Sequence, residues 1–273
     1  MLDLNEKLTI IFHNKTTGDY ENKTLYLNQF KEEYSHSVNF DNNIDLYIGF
    51  KKPIKNFYVH LSTPLESPIE ILFEHSTQNG MQTIKDVYDE THGFSKSGFI
   101  QYKELGSSNF TVADIKCYWV KISTASTDEN ELSFCAINML LNSIYDLSAK
   151  YPQIIQEDFF LGKASLHVAI ENARNEVLSK IIRKGLTAES DARLTVFDLL
   201  DVQEIREAAT FLTLANIFEM VSDNADDKFS RLSKSFFKKF EASFNLYSLT
   251  IDKNQSGDGA SQNFQVKCAR LLR

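Results

Sequence analysis

Several features are scarce in this chain of 273 residues, and each scarcity excludes a class of protein. The chain has only 4 prolines and 10 glycines, which excludes a collagen-like or low-complexity protein. The longest uncharged run, Leu132–Tyr145, is too short to span a bilayer. The opening stretch MLDLNEKLTI lacks the basic and apolar regions of a secretory signal. We therefore expect a soluble protein that does not insert into a membrane and is not exported by a classical signal.

Signatures of catalysis and of cofactor binding are also missing. The 3 cysteines, Cys117, Cys135 and Cys268, show no CxxC spacing, so we interpret them as buried thiols in a reducing compartment. No P-loop, dinucleotide-binding, HExxH or GxSxG motif occurs. The histidines are scattered and suggest no triad. We therefore expect no catalytic residues, no cofactor and no enzyme activity.

The distribution of charge indicates two regions with different surfaces. The formal net charge is −8, which disfavours binding along nucleic acid because phosphates require a basic surface. No arginine precedes Arg174, and the first half holds most of the acidic excess. We therefore expect no sequence-specific nucleic-acid binding.

The first half has the pattern of an antiparallel β-sandwich. Short runs rich in β-branched and aromatic residues alternate with polar or glycine-containing stretches, and no helical period separates them. In Asn56–Ser62, the alternation places Phe57, Val59 and Leu61 on one face and Tyr58, His60 and Ser62 on the other. The sequence predicts a jelly-roll-like sandwich over residues 1–145, with strands in Lys7–His13, Thr24–Leu27, Asp45–Phe50, Asn56–Ser62, Ile69–His75, Gly98–Lys103, Ile115–Ile122 and Leu132–Met139.

The second half changes to a helical period, so the predicted class is α+β with two domains. We predict a linker over residues 146–163, a helical bundle over 164–245 and a short β hairpin or tail over 246–273. The stretch Val202–Val221 is apolar on most of its circumference, which predicts the central helix of the bundle. Asp201 and Glu204 have the spacing of a capping box at its start.

A further amphipathic helix is predicted over Asp226–Phe244. One side carries Phe229, Leu232, Phe236, Phe240 and Phe244, and the other carries mostly basic residues. The chain ends with short apolar runs and arginines, which are suited to pairing with another chain. The interface candidates are Lys228, Arg231, Lys234, Lys238, Lys239, Val266, Arg270, Leu272 and Arg273.

Three other groups suggest chemistry, and each has a simpler interpretation. Asp86, Asp89, Glu90 and His92 are possible metal ligands, but a solvated loop is the favoured interpretation. Asp252, Asn254 and Asp258 begin a calcium-type loop, but Asn263 stands where a bidentate glutamate is needed, so a turn is favoured. The aromatic residues Tyr88, Phe94, Tyr118 and Trp119 are suited to stacking on a sugar, although such residues are usually core in a sandwich.

Three segments of the first half resemble a sandwich module of phage baseplate and tail proteins, which has the jelly-roll shape of galactose-binding-like domains. The segments are Leu46–Leu61, Asp89–Tyr102 and Cys117–Ile122. The shared features are an aromatic-x-Gly-Phe strand, a Gly-x-x-x-Ser-Gly turn at Gly93, Ser97 and Gly98, and a late Tyr-Trp strand at Tyr118 and Trp119. Met81–Tyr88 lacks the Trp-Gly segment that is usual before the turn.

The second half, Ala164–Arg273, resembles the small helical head-tail adaptor (connector) proteins of tailed phages. The shared features are Ala169, Ile170 and Ala173 in an early helix, an alanine-containing central helix and a long final helix. A terminal segment follows with Asp252, Asn254, Gly257, Asp258 and Arg270.

Together, the two resemblances imply a structural virion protein at the junction of portal and tail, located in the neck. Such a protein would form a homo-oligomeric ring, bind the portal protein and neck or tail proteins, and project its sandwich towards tail, collar or fibre components. Two alternatives remain open at this point. One is a carbohydrate-binding adhesin, and the other is a baseplate wedge component.

Overall fold

The structure is a computed structural model that describes residues 8–28, 32–102, 107–128, 130–155, 166–183, 202–224 and 227–246, together with Leu199 and Leu249. The described residues fall into two compact units, one ending at Met139 and one beginning at Leu140. The first unit is an antiparallel β-sandwich and the second is a group of α-helices, so the predicted fold class is confirmed.

Twelve strands form two antiparallel sheets in the first unit. One sheet has seven strands, in the order β2-β1-β4-β11-β6-β7 with β10 paired to β11, and the other has five, in the order β3-β12-β5-β9-β8. The chain crosses between the sheets repeatedly, which gives the jelly-roll-like connectivity. The strands are β1 Thr9–Asn14, β2 Tyr20–Asn22, β3 His36–Asn39, β4 Ile44–Phe50, β5 Asn56–Thr63, β6 Ile71–Thr77, β7 Gly80–Thr83, β8 Val87–Asp89, β9 Gly98–Tyr102, β10 Phe110–Val112, β11 Ile115–Thr124 and β12 Glu131–Asn138.

The core of the sandwich lies between the two sheets. Phe12 on β1 meets Phe134 on β12 with ring centroids 5.5 Å apart, and Phe94 contacts Phe134 at 5.4 Å. All three rings are buried. Alternate residues of each strand supply this interface, as strand geometry requires.

One predicted strand of the first unit was wrong. Thr24–Leu27 forms a short helix, α1, instead of a strand. The Asn22 side chain accepts a hydrogen bond from Thr24 N at 3.0 Å, and the Asn28 amide donates to Thr24 O at 2.7 Å. These side-chain bonds override the β propensity of the segment.

Strand β5 is covered on both faces. Phe57 and Val59 are buried on one face, and Tyr58 on the other face is also buried and packs against Phe99 at 5.1 Å.

In the described part of the second unit there are four helices, namely α2 Ile144–Lys150, α3 Leu166–Arg183, α4 Gln203–Val221 and α5 Lys228–Leu246, with a 3-10 turn at Pro152–Ile155. None of the helices in the described ranges is long and apolar enough to cross a membrane. The terminal segment predicted as a β hairpin, residues 246–273, lies outside the described residues except for Leu246, which ends α5, and Leu249.

Helix α2 overlaps the predicted linker, because residues 146–150 of the predicted 146–163 segment are helical. Ser143 and Asp146 form a capping box in which Ser143 N donates to the Asp146 carboxylate at 2.7 Å. The same carboxylate binds Arg206 Nε on α4 at 2.9 and 3.0 Å. This helix therefore packs against α4 within the helical unit.

Helix α4 is the central helix, as predicted. It packs against α2, α3 and α5, and residues such as Leu212, Leu214 and Phe218 are fully buried. Val202 occupies the N-cap position with helical backbone angles, and its side chain makes no cap; the capping box of Asp201 and Glu204 stays a prediction. Asp201 itself lies outside the described residues.

Candidate interface on the helical unit

Helix α5 begins with a side-chain cap. Asp227 accepts hydrogen bonds from Ser230 N at 2.6 Å, Asp223 N at 2.9 Å and Asn224 N at 3.3 Å. Ser222 Oγ also lies 3.1 Å from this carboxylate. The bond from Ser230 is the largest influence, and the set lowers the pKa of Asp227 to about 2. This cap fixes the first turn of α5 and therefore the direction in which its side chains project.

The apolar stripe of α5 packs against α4. Phe236 stacks on Phe218 with centroids 5.6 Å apart, and Phe229 stacks on Phe218 at 6.1 Å. Phe240 contacts Phe244 at 5.4 Å, and both are buried. This row of rings fixes the rotation of α5 about its axis.

The opposite side of α5 carries the predicted basic residues, and every one of them is exposed. We call this set the basic face, and it consists of Lys228, Arg231, Lys234, Lys238 and Lys239. Lys239 Nζ lies 4.8 Å from the ring centroid of Phe236 and 5.8 Å from that of Phe211, so this cation rests beside the aromatic row. The other predicted interface residues, Val266, Arg270, Leu272 and Arg273, lie outside the described residues.

A groove of about 710 Å³ runs beside the basic face, between α3, α4 and α5. Lys234 and Lys238 line it together with carboxylates, which are Glu176, Glu219, Asp223 and Glu241. Asn216 Nδ2 lies 3.5 Å from Glu176 Oε2 and links α4 to α3 within this lining. Because both signs of charge are present, the groove is suited to a protein surface with mixed charge more than to a phosphate chain.

An exposed aromatic ring lines the same groove. The Phe237 ring is 36% exposed and lies 5.0 Å from Lys180 Nζ, which also lies 4.8 Å from the Phe240 ring. Met220, near the end of α4, is exposed as well. Charged groups beside exposed apolar side chains are the usual composition of a protein interface.

The acidic side of the groove was not predicted from the sequence. Glu219 and Asp223 are four residues apart, a helical spacing that could have indicated a shared acidic side. Glu176 lies on α3, which is distant in sequence from α5. The sequence alone does not bring Glu176 to α5.

The candidate metal residues of the sandwich instead stabilise a turn. Asp89 accepts hydrogen bonds from Thr91 N at 2.8 Å and Gly93 N at 3.0 Å, and Glu90 accepts from Phe99 N at 3.1 Å. Gly93 has φ +64°, and an added Cβ would lie 2.2 Å from Ile69 O, so a side chain does not fit there. Within the described residues, no group of three His, Cys, Asp or Glu could hold a metal ion.

The remaining candidates of this kind include Asp86 and His92, which both lie exposed in the sandwich. Asp252, Asn254 and Asp258, the possible calcium ligands, lie outside the described residues.

The candidate sugar-stacking aromatic residues do not form one site. Phe94 and Trp119 are buried, Tyr118 is partly buried and Tyr88 is 54% exposed. The Trp119 indole N–H donates to Phe110 O at 2.8 Å. A Cβ added at Gly49 would lie 2.5 Å from the indole, so this packing explains the glycine in the aromatic-x-Gly-Phe strand.

Comparison with known proteins gives only weak likenesses to solved structures, and two of them are described below. No family model matches the chain, and no curated protein matches it. A chitosan-binding module from a chitosanase/glucanase of Paenibacillus sp. IK-5 is similar at 11% identity and TM-score 0.31, over 49% of this chain and 93% of that chain. CpGH89CBM32-6, produced by Clostridium perfringens, is similar at 11% identity and TM-score 0.30, over 50% and 94%. Likeness at this level identifies neither a ligand nor a partner.

Proposed function

We propose that this chain is a structural assembly protein whose helical unit docks on a partner through the basic face of α5. The observation that carries the proposal is the division of α5 into two sides. Its phenylalanine stripe is buried against α4, while its five basic residues are exposed. A row of cations on a chain with net charge −8 is suited to an acidic partner surface.

In its finer form, the proposal is a head-tail adaptor of a tailed-phage virion, located in the neck between portal and tail. Copies of the chain form a ring on the portal protein, and the sandwich projects to hold tail, collar or fibre components. The residues Ala169, Ile170 and Ala173 of α3, and Gly93, Ser97 and Gly98 of the sandwich, carry the resemblance that supports this form. The proposed role is non-enzymatic and needs no cofactor.

The groove beside α5 supports docking between chains. Lys234 and Lys238 line it together with four carboxylates, of which Glu241 lies on α5 beside the lysines, so a partner surface of complementary mixed charge can pair with it in one register. Exposed Phe237 also lines the groove and adds apolar area that becomes buried on docking. Ionic contacts at such a rim orient the partners, and the apolar contacts slow their dissociation.

Charge reversal on α5 tests the proposal. We expect Lys234→Glu combined with Lys238→Glu to remove the chain from purified particles, measured by quantitative mass spectrometry of its copy number. The matched control is Lys85→Glu with Lys96→Glu, since both lysines are exposed on the sandwich and the change in net charge is the same. Circular dichroism verifies folding of both variants. Incorporation of the α5 variant at the level of the control would contradict docking through α5.

The terminal segment provides a second arm of the test. A chain that ends at Asn245 is expected to remain a folded monomer but not to join the particle, because the truncation removes Val266, Arg270, Leu272 and Arg273. Incorporation of this truncated chain at the normal copy number would place attachment elsewhere in the protein.

Two rival functions predict different results. A carbohydrate-binding adhesin would bind host glycan on a glycan array, and its reversal variant would retain that binding. A baseplate wedge component would join the particle at the far end of the tail. The position of the chain in a particle map therefore separates neck from baseplate.

A further inference from the structure

The groove beside α5 continues into a second depression at the C-terminal end of the helix. This depression has a volume of about 260 Å³ and shares Glu241 with the groove. The two follow α5 from Ser230 to Asn245, over about 24 Å at ~1.5 Å per residue. We call the combined surface the long groove. The residues that line the second depression are Lys180, Arg183, Phe240, Glu241, Phe244 and Asn245.

The charges that line the long groove balance. Its carboxylates are those of Glu176, Glu219, Asp223 and Glu241, and its cations are those of Lys180, Arg183, Lys234 and Lys238. A partner of a single charge sign gains no net attraction from this surface, because each favourable contact is offset by an unfavourable one. The partner that fits therefore carries both signs, in an order that matches.

The order of the charges along α5 reverses about Phe237, which lies near the middle of the long groove. Lys234 is three residues before Phe237, and Glu241 is four residues after it. Together with Ser230, these residues recur at intervals of four, three and four, which is the spacing of a seam between two packed helices. A second α-helix that lies along α5 is therefore the shape of partner that fits.

The two ends of the long groove also have opposite charges. Asp223 N donates to the Asp227 carboxylate at 2.9 Å, which places Asp223 beside the first turn of α5. At the other end, Lys180 Nζ lies 4.8 Å from the Phe240 ring, and Arg183 lies about one turn further along α3. From the first end to the second, the order is negative, positive, apolar, negative and positive. In the opposite direction, every sign is inverted.

We propose that the long groove is a contact between two copies of this chain, related by a twofold axis near Phe237 so that the two α5 helices run antiparallel. Lys234 of each copy then faces Glu241 of the other, because a twofold axis repeats every contact. The acidic end of each groove faces the basic end of the other. The two Phe237 rings meet near the axis, where contact between aromatic rings is favourable.

This pairing names the occupant of the groove, so it rests on the docking proposed above. A twofold contact closes at two copies, and it does not by itself build a ring. It instead covers Lys234 and Lys238 in the free protein, and docking on a particle opens the pair. The twofold contact therefore regulates access to the docking surface.

The pair is expected to be weak. A strip about 24 Å long and ~10 Å wide is smaller than the roughly 800 Å² that each partner contributes to a stable complex. Exposed ion pairs contribute little each, and Phe237 is the one apolar member of the seam. We expect a Kd of about 10–100 µM, so that the chain is a monomer below about 1 µM.

Sedimentation velocity of the full chain tests for the pair. Between about 1 and 500 µM chain at about 50 mM salt, the mass is expected to rise from the 31.3 kDa of one copy towards twice that value. Because most of the contacts join exposed charges, about 500 mM salt is expected to raise the Kd about tenfold.

Charge reversal on α5 tests the antiparallel register. Lys234→Glu and Glu241→Lys are each expected to raise the Kd at least about tenfold, because each places like charges opposite one another twice. An equimolar mixture of the two variants is expected to pair as tightly as the unmodified chain, since every opposed pair is again of opposite sign. Within one copy, the two residues lie seven positions apart, about 10.5 Å along the helix, so an internal ion pair does not explain such a rescue.

The matched controls are Lys85→Glu and Glu66→Lys, which make the same changes in net charge at exposed positions of the sandwich and are expected to leave the Kd unchanged. Circular dichroism verifies folding of every variant. The proposal is overturned if the full chain stays monomeric at about 500 µM and low salt, if neither reversal on α5 weakens the pair, or if the mixture pairs no better than its components. A monomeric chain that still joins particles overturns the pairing alone, whereas a paired chain that never joins them overturns the docking alone.

Discussion

The sandwich and the helical unit use aromatic residues differently. In the helical unit, Phe218, Phe236 and Phe240 pack in one row between α4 and α5, and the solvent-exposed side of α5 is basic. In the sandwich, Phe12 and Phe134 fill the space between the sheets, while Tyr20 and Tyr47 lie on an outer face among charged groups. The helical unit therefore exposes a basic helix side, whereas the sandwich exposes aromatic rings among charged groups of both signs.

The largest expected effect is in the helical core. Leu212→Ala removes a fully buried side chain from the central helix, and the cavity is expected to destabilise the protein by about 2–5 kcal/mol. Denaturant unfolding followed at 222 nm measures this change. The matched control is Leu246→Ala, whose leucine is 84% exposed at the end of α5 and is expected to cost less than about 0.5 kcal/mol. Equal losses would contradict the central position of α4.

In the sandwich, the corresponding test adds an atom at the close contact between Gly49 and Trp119, instead of removing atoms to make a cavity. Gly49→Ala forces a Cβ against the Trp119 indole, and such overpacking is expected to cost about 1–3 kcal/mol. Thermal unfolding measures the loss.

A double-mutant cycle identifies its cause. In a Trp119→Ala background the obstructing ring is absent, so the added cost of Gly49→Ala is expected to fall below about 0.5 kcal/mol. An unchanged cost in both backgrounds would show that Gly49 is required for its backbone and not for the indole.

The smallest expected effect concerns the cap of α5 and depends on pH. Hydrogen bonds lower the pKa of Asp227 from 3.8 to about 2, so its contribution is present above about pH 4. This contribution is lost as the pH falls through about 2, since the protonated group no longer accepts as a carboxylate. We expect the Tm of the unmodified chain to fall over this window more steeply than the Tm of Asp227→Asn. Parallel pH profiles for the two proteins would contradict the cap.

Much of the helical unit follows from periodicity. The stripe of Phe236, Phe240 and Phe244 and the stripe of Ala169, Ile170 and Ala173 are buried as predicted, because a helical face is set by residues three and four apart. Helix α2, which lies partly in the predicted linker, is short, and only Leu147 of its residues is fully buried, so it has little apolar periodicity to reveal it in the sequence. The pair Ser143 and Asp146 was the signal that marked its start.

Less of the candidate site follows from the sequence. The basic face of α5 is local, so its exposure was predictable. The groove depends on α3 and α5 packing against α4. In the sandwich, likewise, Lys121 meets Glu74 and Asp45 only because β11 lies between β4 and β6. Sequence spacing carries no information on such register, which is set by the packing of whole sheets.

The most direct test of the assembly proposal is a cryo-EM map of the virion particle in which the proposal places this chain. The proposal predicts a ring of copies between portal and tail, in which the basic face of α5, with Lys234 and Lys238, lies against a neighbouring subunit or the portal protein. The sandwich is expected to point towards tail, collar or fibre components. Density for the chain at the distal baseplate, or copies whose basic face is open to solvent, would contradict the proposal.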